Sequence, residues 1–450
     1  MCGIVGIYGQ ENAAGWATEA LFSQQHRGQD SCGVATADGK DLFCHRGMGL
    51  VRECLTEEAL RGLPGSHAIG HVRYPTQGEA TVKNAQPHLF VRNGEVLFSL
   101  ASNGDITNLP QLGAEIESRG YPLEGTNDAE VIAKAIGIWA YDDGLGIEGA
   151  IRKWMVTGMG AYCTVLLTPS HLYAFRDPHG LRPMSRGEKG GAAVIASETV
   201  ALDILRAKFV EHVAPGAILK WGPGGLSQPE GVPPRDHHHC IFELIYFARP
   251  DSRVFNERVY EVRRAIGTAL AKEDDTPGDV VVPIPDSSNY IGLAYATARD
   301  LPIAFGLVRN HYIGRTFIAP EQRMRDDAVR LKFNPLPGFF EGKRVFLVDD
   351  SIVRGTTIRK LVHMVRDQGA KEVHLRIGSP PIRHSCYYGV DTPDQDKLIA
   401  GGRTPQEVAA LLGADTLRYL SLESLRTTVF TPDHYCYACF TGEYPAGCKA

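Results

Sequence analysis

The chain has 450 residues, too many for one ordinary core, and a prior of roughly 150 residues per domain points to two or three domains. It is 43% hydrophobic and 22% charged, and its 47 Lys and Arg against 52 Asp and Glu leave a net charge of −5, which gives no electrostatic footprint for nucleic acid. No apolar run is long enough to span a bilayer and no charged-then-apolar leader opens the chain, so a cytoplasmic protein without a membrane partner is expected. Ten cysteines in such a chain favour thiols, metal ligands or catalysis over a disulfide framework.

In chain order, MCGIVGIYG places Cys2 behind the initiator methionine and ahead of an apolar strand, Gly3–Ile7. Further short strands are expected at Ala68–Val72, Val96–Leu100, Tyr162–Leu167, His171–Phe175 and Ala193–Ala196. Asn127 and Glu130 read as a capping pair for a helix carrying Val131, Ile132, Ala135 and Ile136 at helical spacing. Runs of strands with grouped helices give α+β layers. The Gly- and Pro-rich stretch 222–234 can hold neither a helix nor a central strand, and the domain join is placed there, dividing the chain into 2–230 and 236–450. Beyond it the pattern becomes strand–loop–helix. Strands are expected at Asp279–Ile284, Arg344–Asp350 and Glu372–Ile377, with a loop over Ser351–Thr357 and a helix burying Ile358, Leu361, Val362 and Val365. Such alternation is that of a parallel sheet, with ligands beyond the carboxyl ends of its strands.

The most specific string is Val345-Phe-Leu-Val-Asp-Asp-Ser-Ile-Val-Arg-Gly-Thr-Thr357. Two adjacent carboxylates end a buried strand, and a hydroxyl- and glycine-bearing loop turns into a helix whose amino end suits an anion. The carboxylates suit sugar hydroxyls or a divalent cation. A lone Asp-Asp would more often be a solvated strand end, but the whole string closely resembles the phosphoribosylpyrophosphate-binding motif of type I phosphoribosyltransferases. That resemblance implies that Asp349 and Asp350 serve the ribose hydroxyls and Mg2+, and that Ser351 and Arg354, Gly355, Thr356 and Thr357 hold the substrate, the last four cradling the 5′-phosphate. Pro283–Ser288 looks like the family's pyrophosphate loop, with Ser287 at a magnesium position. Val308–Ile318, continuing to Lys332, resembles its mobile loop, which makes Arg309, Arg315 and Lys332 candidates for holding pyrophosphate; taken alone, each is only a surface charge.

Removal of Met1 would leave Cys2 with a free α-amine beside its thiol. An α-amine has an unperturbed pKa of about 7.7–8.0, so it can act as a general base near neutrality, and a thiolate is the better nucleophile. A chance cysteine is the plain alternative. It weakens beside Gln25-His-Arg-Gly-Gln-Asp-Ser-Cys-Gly33, Gly70-His-Val-Arg-Tyr-Pro-Thr76 and Ser102-Asn-Gly-Asp105. Together these strings closely resemble the glutaminase domain of class II, N-terminal-nucleophile glutamine amidotransferases, which implies an αββα sandwich. On that resemblance Arg73 pairs with the α-carboxylate of glutamine, Asp128 takes its α-ammonium, and the Asn103 side chain with the Gly104 N–H forms the oxyanion hole. Singly, Arg73 could be a hairpin charge, Asn103-Gly104 a tight turn and Asp128 a helix-start charge.

The two domains in one chain resemble the glutamine phosphoribosylpyrophosphate amidotransferase family. The resemblance implies glutamine hydrolysis at Cys2, ammonia passing between the domains, and displacement of pyrophosphate to give phosphoribosylamine, the first committed step of purine synthesis. It also implies purine nucleotide feedback inhibitors and a homotetramer or homodimer. Phe242–Ser252 falls where the domains should meet. Cys436-Tyr-Ala-Cys439 alone fits zinc, a redox pair or coincidence. In one branch of the family four cysteines so arranged ligate a [4Fe-4S] cluster, and Cys240 and Cys386 match the two remote positions. Cys32, Cys44, Cys54, Cys163 and Cys448 read as ordinary thiols, and His237–His239 as exposed loop residues. No propeptide beyond Met1 is expected. The competing readings are a class II amidotransferase with another acceptor and a non-catalytic phosphoribosylpyrophosphate or nucleotide sensor with an oxygen-sensitive cluster; glutamine-dependent release of pyrophosphate separates them.

Overall fold

A computed structural model of the chain describes residues 1–74, 79–312 and 330–445. The amino-terminal half is two antiparallel sheets packed face to face. One has seven strands, and its centre is Gly3–Tyr8, flanked by Ala192–Ala196 and by His67–Arg73. The other has six strands and is centred on Gly160–Leu167, which pairs with the long strand Glu95–Ile106 and with Leu172–Arg176. Side-chain alternation explains the layering. Ile4 and Val165 point into the shared core between the sheets, where Ile69, Ala101 and Leu172 join them. Their neighbours Val5 and Leu166 face outward, each under helices. Val5 packs with Ala17 and Leu21 of helix Ala13–Ser23, and Leu166 packs with Ile132, Ile136 and Trp154 of helices Asp128–Gly137 and Gly146–Thr157. The central strands are therefore covered on both faces, and the order of layers is helix, sheet, sheet, helix.

Within this half two local expectations need correction. Asn127 does cap its helix by accepting from the Glu130 N–H, but the Glu130 carboxylate does not return the bond. It accepts instead from the Glu124 and Gly125 N–H groups and from Lys134, so it pins the preceding loop. The 222–234 stretch is not wholly irregular: Gly225–Ser227 adds an edge strand to the six-stranded sheet. An edge strand tolerates the surrounding Gly and Pro because only one side of it is paired.

The carboxyl-terminal half holds a four-stranded parallel sheet in the order Val280–Pro283, Arg344–Asp349, Glu372–Ile377 and Thr416–Tyr419. Phe346 and Val348 face helices Val259–Lys272 and Asn289–Ala298, while Val345 and Leu347 face helix Thr356–Asp367. That last helix buries Ile358, Leu361, Val362 and Val365 as its spacing predicts. It begins at Thr356 rather than after Thr357. Gly355 sits at φ +73° and ends the loop two residues early, which puts Thr356 and Thr357 in the first turn, where N–H groups lack intrahelical partners.

Candidate active sites and the cavity between them

Cys2 ends up buried at the start of the central strand. Its backbone N–H donates to Asn103 Oδ1 at 3.0 Å, and its thiol contacts the Tyr74 carbonyl at 3.6 Å. Asn103 is not in a turn. It lies within the strand Glu95–Ile106 opposite Cys163, and its Oδ1 contact with the amino terminus leaves Nδ2 buried without a partner among the described residues. Next to it, a Cβ on Gly104 would lie 1.9 Å from the Ala161 carbonyl oxygen, so the backbone here must be bare. Buried polar groups are almost always paired, and an unpaired donor aimed at a nucleophile is what an oxyanion hole offers before substrate arrives.

Arg73 and Asp128 complete this site. Arg73 is buried rather than a surface charge, and its Nη1 donates to Asp30 at 2.9 Å and to the Glu79 carbonyl at 3.1 Å. Asp128 opens its helix, buried, with Oδ2 unpartnered among the described residues. Burial first, then repulsion from Asp105, pushes its carboxyl up to about 8. Burial likewise raises the Cys2 thiol and lowers the amino-terminal amine, on Met1 as the chain stands, to about 6. A site that disfavours each isolated charge is one that gains from a zwitterionic ligand able to supply the missing counter-charges.

Beyond the parallel strands, Asp349 and Asp350 face one cavity of about 280 Å³ together with Ser287, Lys332, Ser351, Arg354, Gly355, Thr356 and Thr357. Burial and then Asp350 drive the Asp349 carboxyl far upward. Asp350 is raised by burial despite hydrogen bonds from Ser287 and Ser351. Two buried carboxylates side by side are costly without a cation, which is the chemistry of a magnesium-assisted sugar-phosphate site. A Cβ at Gly355 would meet Ile399 Cδ1 at 2.4 Å, so the loop cannot carry a side chain there. Arg309 does not line the cavity; it pairs with Asp286 of the pyrophosphate loop at 2.5 Å. Arg315 lies outside the described residues.

The same cavity is lined by Met1 and Tyr74 from the amino-terminal half and by Phe242, Tyr246 and Phe247. Tyr74 also reaches Asp391, another lining residue, through its hydroxyl at 3.3 Å. Tyr74 lies in the Gly70–Thr76 string, and Arg27 and Asp30 in Gln25–Gly33, without a role that those strings disclose; Arg27 donates through Nε to the Cys2 carbonyl at 2.8 Å and Asp30 is the partner of Arg73. Nothing in their local spacing marks them, because their partners are brought in by the sheets.

Cys240, Cys386, Cys436 and Cys439 line a second, smaller cavity with Leu181, Ile241 and Tyr388. A parallel pairing sets Cys240 directly opposite Cys436. Burial pushes the Cys240 thiol up to about 11, and burial plus neighbouring thiols raise Cys436 and Cys439 further. No group of three or more His, Cys, Asp or Glu among the described residues converges as for a single ion. The four cysteines line one small, otherwise mostly apolar cavity, and an all-thiolate donor set is the kind that an iron–sulfur cluster requires. The adjacent histidines are half-buried, not exposed. His239 stacks on Phe255 with centroids 4.4 Å apart, and His237 packs edge-on to His434 at 4.9 Å, because neutral imidazole faces are apolar enough to be covered. Cys32, Cys44, Cys54 and Cys163 are free thiols; Cys448 lies outside the described residues.

Comparison with known proteins agrees with both halves. Residues 73–204 match the glutamine amidotransferase domain family and residues 256–377 the phosphoribosyl transferase domain family. An amidophosphoribosyltransferase of Methanothermobacter thermautotrophicus is 44% identical over 448 residues, covering 99% of this chain and 94% of the relative. That of Bacillus subtilis is 40% identical, with 99% and 94% covered. A solved structure of the B. subtilis glutamine phosphoribosylpyrophosphate amidotransferase, complexed with ADP and GMP, superposes with a TM-score of 0.90 at 40% identity, covering 99% of this chain and 97% of that one. With both domain families matched in one chain and relatives of this similarity along its whole length, the chain belongs to the amidophosphoribosyltransferase family.

Proposed function

We propose that Cys2, freed of Met1, attacks the amide of glutamine, and that the ammonia released crosses the shared cavity to displace pyrophosphate from phosphoribosylpyrophosphate. The proton taken from the thiol leaves with the ammonia, water then cleaves the thioester left on Cys2 and restores the thiol, and the products are glutamate, pyrophosphate and 5-phosphoribosylamine. The observation that carries this reading is the single cavity that Met1 and Tyr74, which adjoin Cys2 and Arg73 in the chain, line together with Asp349–Thr357. Arg73 takes the α-carboxylate of glutamine, a role suited to a planar fork, and Asp128 takes its ammonium. The amine of Cys2 removes the thiol proton, directly or through water, and Asn103 Nδ2 with the Gly104 N–H receives the oxyanion. Phe242, Tyr246 and Phe247 give the passage apolar walls, which keep ammonia unprotonated and out of bulk water. Asp349, Asp350 and Ser287 would hold Mg2+, which neutralises charge gathering on the leaving pyrophosphate. Ser351 and Arg354–Thr357 hold the sugar phosphate and Lys332 serves the pyrophosphate, with Arg309, paired to Asp286, and Arg315 as further candidates from the segment that precedes Lys332.

The same reading places the glutaminase unit at 2–230 and the phosphoribosyltransferase unit at 236–450, in a cytoplasmic homo-oligomer inhibited by purine nucleotides. Cys240, Cys386, Cys436 and Cys439 would hold a [4Fe-4S] cluster, which iron and sulfide assays and visible absorption test; a colourless preparation containing zinc instead would overturn it. For the reaction, the test is a pair of variants. Cys2→Ala should lose glutamine-dependent synthesis by about four orders of magnitude or more while keeping synthesis from ammonia, and Asp349→Ala should impair both. Glutamine-dependent turnover surviving in Cys2→Ala would show the nucleophile to be wrong.

A further inference from the structure

Four charged side chains with no exposure meet where the halves join: Arg27, Arg182, Glu198 and Glu243. Buried ion pairs add little to stability compared with apolar packing, so a set of four calls for another explanation. Glu243 begins a π-helical turn, Glu243–Phe247, whose neighbours Phe242, Tyr246 and Phe247 line the phosphoribosyl cavity. Its own carboxylate turns away from that cavity into the glutaminase half. There it accepts from Arg27 twice, from Nη1 at 3.0 Å and Nη2 at 2.8 Å. The third arm of that guanidinium, Nε, donates to the Cys2 carbonyl at 2.8 Å. Phe247 lies against the same guanidinium, its ring centroid 4.7 Å from Cζ.

The other carboxylate, Glu198, also pairs with Arg27 and is shared more widely. It accepts from His26, the Ser252 hydroxyl at 2.7 Å and the Arg249 N–H at 2.9 Å, and those contacts suffice to attach the halves. Arg182 ties Glu243 at 3.4 Å to the Tyr388 carbonyl at 2.9 Å, so the acceptor is held from behind as well. The chain of contacts therefore runs from the cavity wall through Glu243 and Arg27 to the residue that bears the nucleophile.

We propose that Glu243 is a positioning residue for the glutaminase reaction: through Arg27 it fixes the Cys2 backbone, and hence the thiol, from the opposite half of the molecule. This rests on Cys2 being the nucleophile. A bidentate carboxylate–guanidinium pair restricts both distance and plane, which an uncharged or shorter acceptor does not. A nucleophile misplaced by about 1 Å can lose on the order of a hundredfold in rate. Substrate binding by Arg73 and Asp128 and ammonia use at the phosphoribosyl site involve neither residue.

The test uses Glu243→Gln and Glu243→Asp in the full-length protein, with glutamate release, pyrophosphate release from glutamine, pyrophosphate release from ammonium chloride, and thermal melting measured for each. The expected result is a fall in glutamine-dependent kcat of about a hundredfold for Glu243→Gln and about tenfold for Glu243→Asp. KM for glutamine and the ammonia-dependent rate should stay within about twofold of the parent. Unchanged glutamine-dependent kcat in folded variants would overturn the proposal. So would a fall shared equally by the ammonia reaction, an effect confined to KM, or failure of both variants to fold, each of which marks a merely structural contact. Cys2→Ala run in parallel separates the two ideas: glutamine use surviving there removes the nucleophile assignment, whatever the Glu243 variants do.

Discussion

The glutaminase site and the phosphoribosyl site are built by opposite means. Around Cys2, the functional groups stand on strands paired antiparallel or at a helix start, and Asn103 Nδ2 and Asp128 Oδ2 are buried without partners among the described residues. Around Asp349, they stand at the end of a parallel strand and on the loop beyond it, and both carboxyls are held above their ordinary range although Lys332 and Arg263 oppose the rise. The first arrangement is rigid before its ligand binds. The second is completed by its ligand and cation, so its geometry is set by binding energy as much as by the fold.

That contrast can be broken by substitution. Asn103→Ala should lower glutamine-dependent kcat by about 10²–10³-fold with KM for glutamine nearly unchanged, because a preorganised donor acts on the oxyanion rather than on bound substrate. A rise in KM as large as the fall in kcat would show that the site is not preformed. Asp350→Asn should lower both the glutamine and the ammonia reactions by on the order of a hundredfold, and added magnesium should recover part of the loss. Indifference to magnesium, or loss of the glutamine reaction alone, would remove the cation role from this carboxylate.

A smaller effect sharpens the same contrast. Asp128, raised to about 8 by burial and then by Asp105, is mostly protonated at neutral pH when the site is empty. Pairing with the ammonium of glutamine needs the carboxylate, so binding must expel a proton, and affinity should rise as pH rises toward that value. Calorimetry on Cys2→Ala should show Kd for glutamine falling about tenfold between about pH 6.5 and 8, with proton release that shrinks over the same range. Asp128→Asn should bind weakly and independently of pH. A flat profile for the parent site would mean that Asp128 is ionised without ligand.

What the sequence made legible follows from how each feature is encoded. The phosphate loop is a contiguous string, and its strand, glycine turn and helix are local events, so only boundaries differ: the strand ends at Asp349 rather than Asp350 and the helix starts two residues early, after Gly355. Asn103, Gly104 and Asp128 were legible through their motifs, but not the strand that carries the first two, since a tight turn fits Asn-Gly equally well. The half-buried stacking of His237 and His239 was missed because it depends on Phe255 and His434, which only the fold brings near. Arg27 and Glu243 lie 216 positions apart, and no periodicity connects them. Long-range pairing of buried charge is decided by how the two halves dock, and it has no local signature.

The central claim is that ammonia made at Cys2 reaches the phosphoribosyl site through the shared cavity without entering solvent. It is tested most directly by supplying glutamine labelled with ¹⁵N at the amide together with an excess of unlabelled ammonium chloride, and measuring the label in phosphoribosylamine trapped as it forms. Nearly complete retention of ¹⁵N, whatever the ammonium concentration below that which drives the ammonia reaction, is the predicted result. Dilution of the label to the ratio present in bulk solution would contradict it.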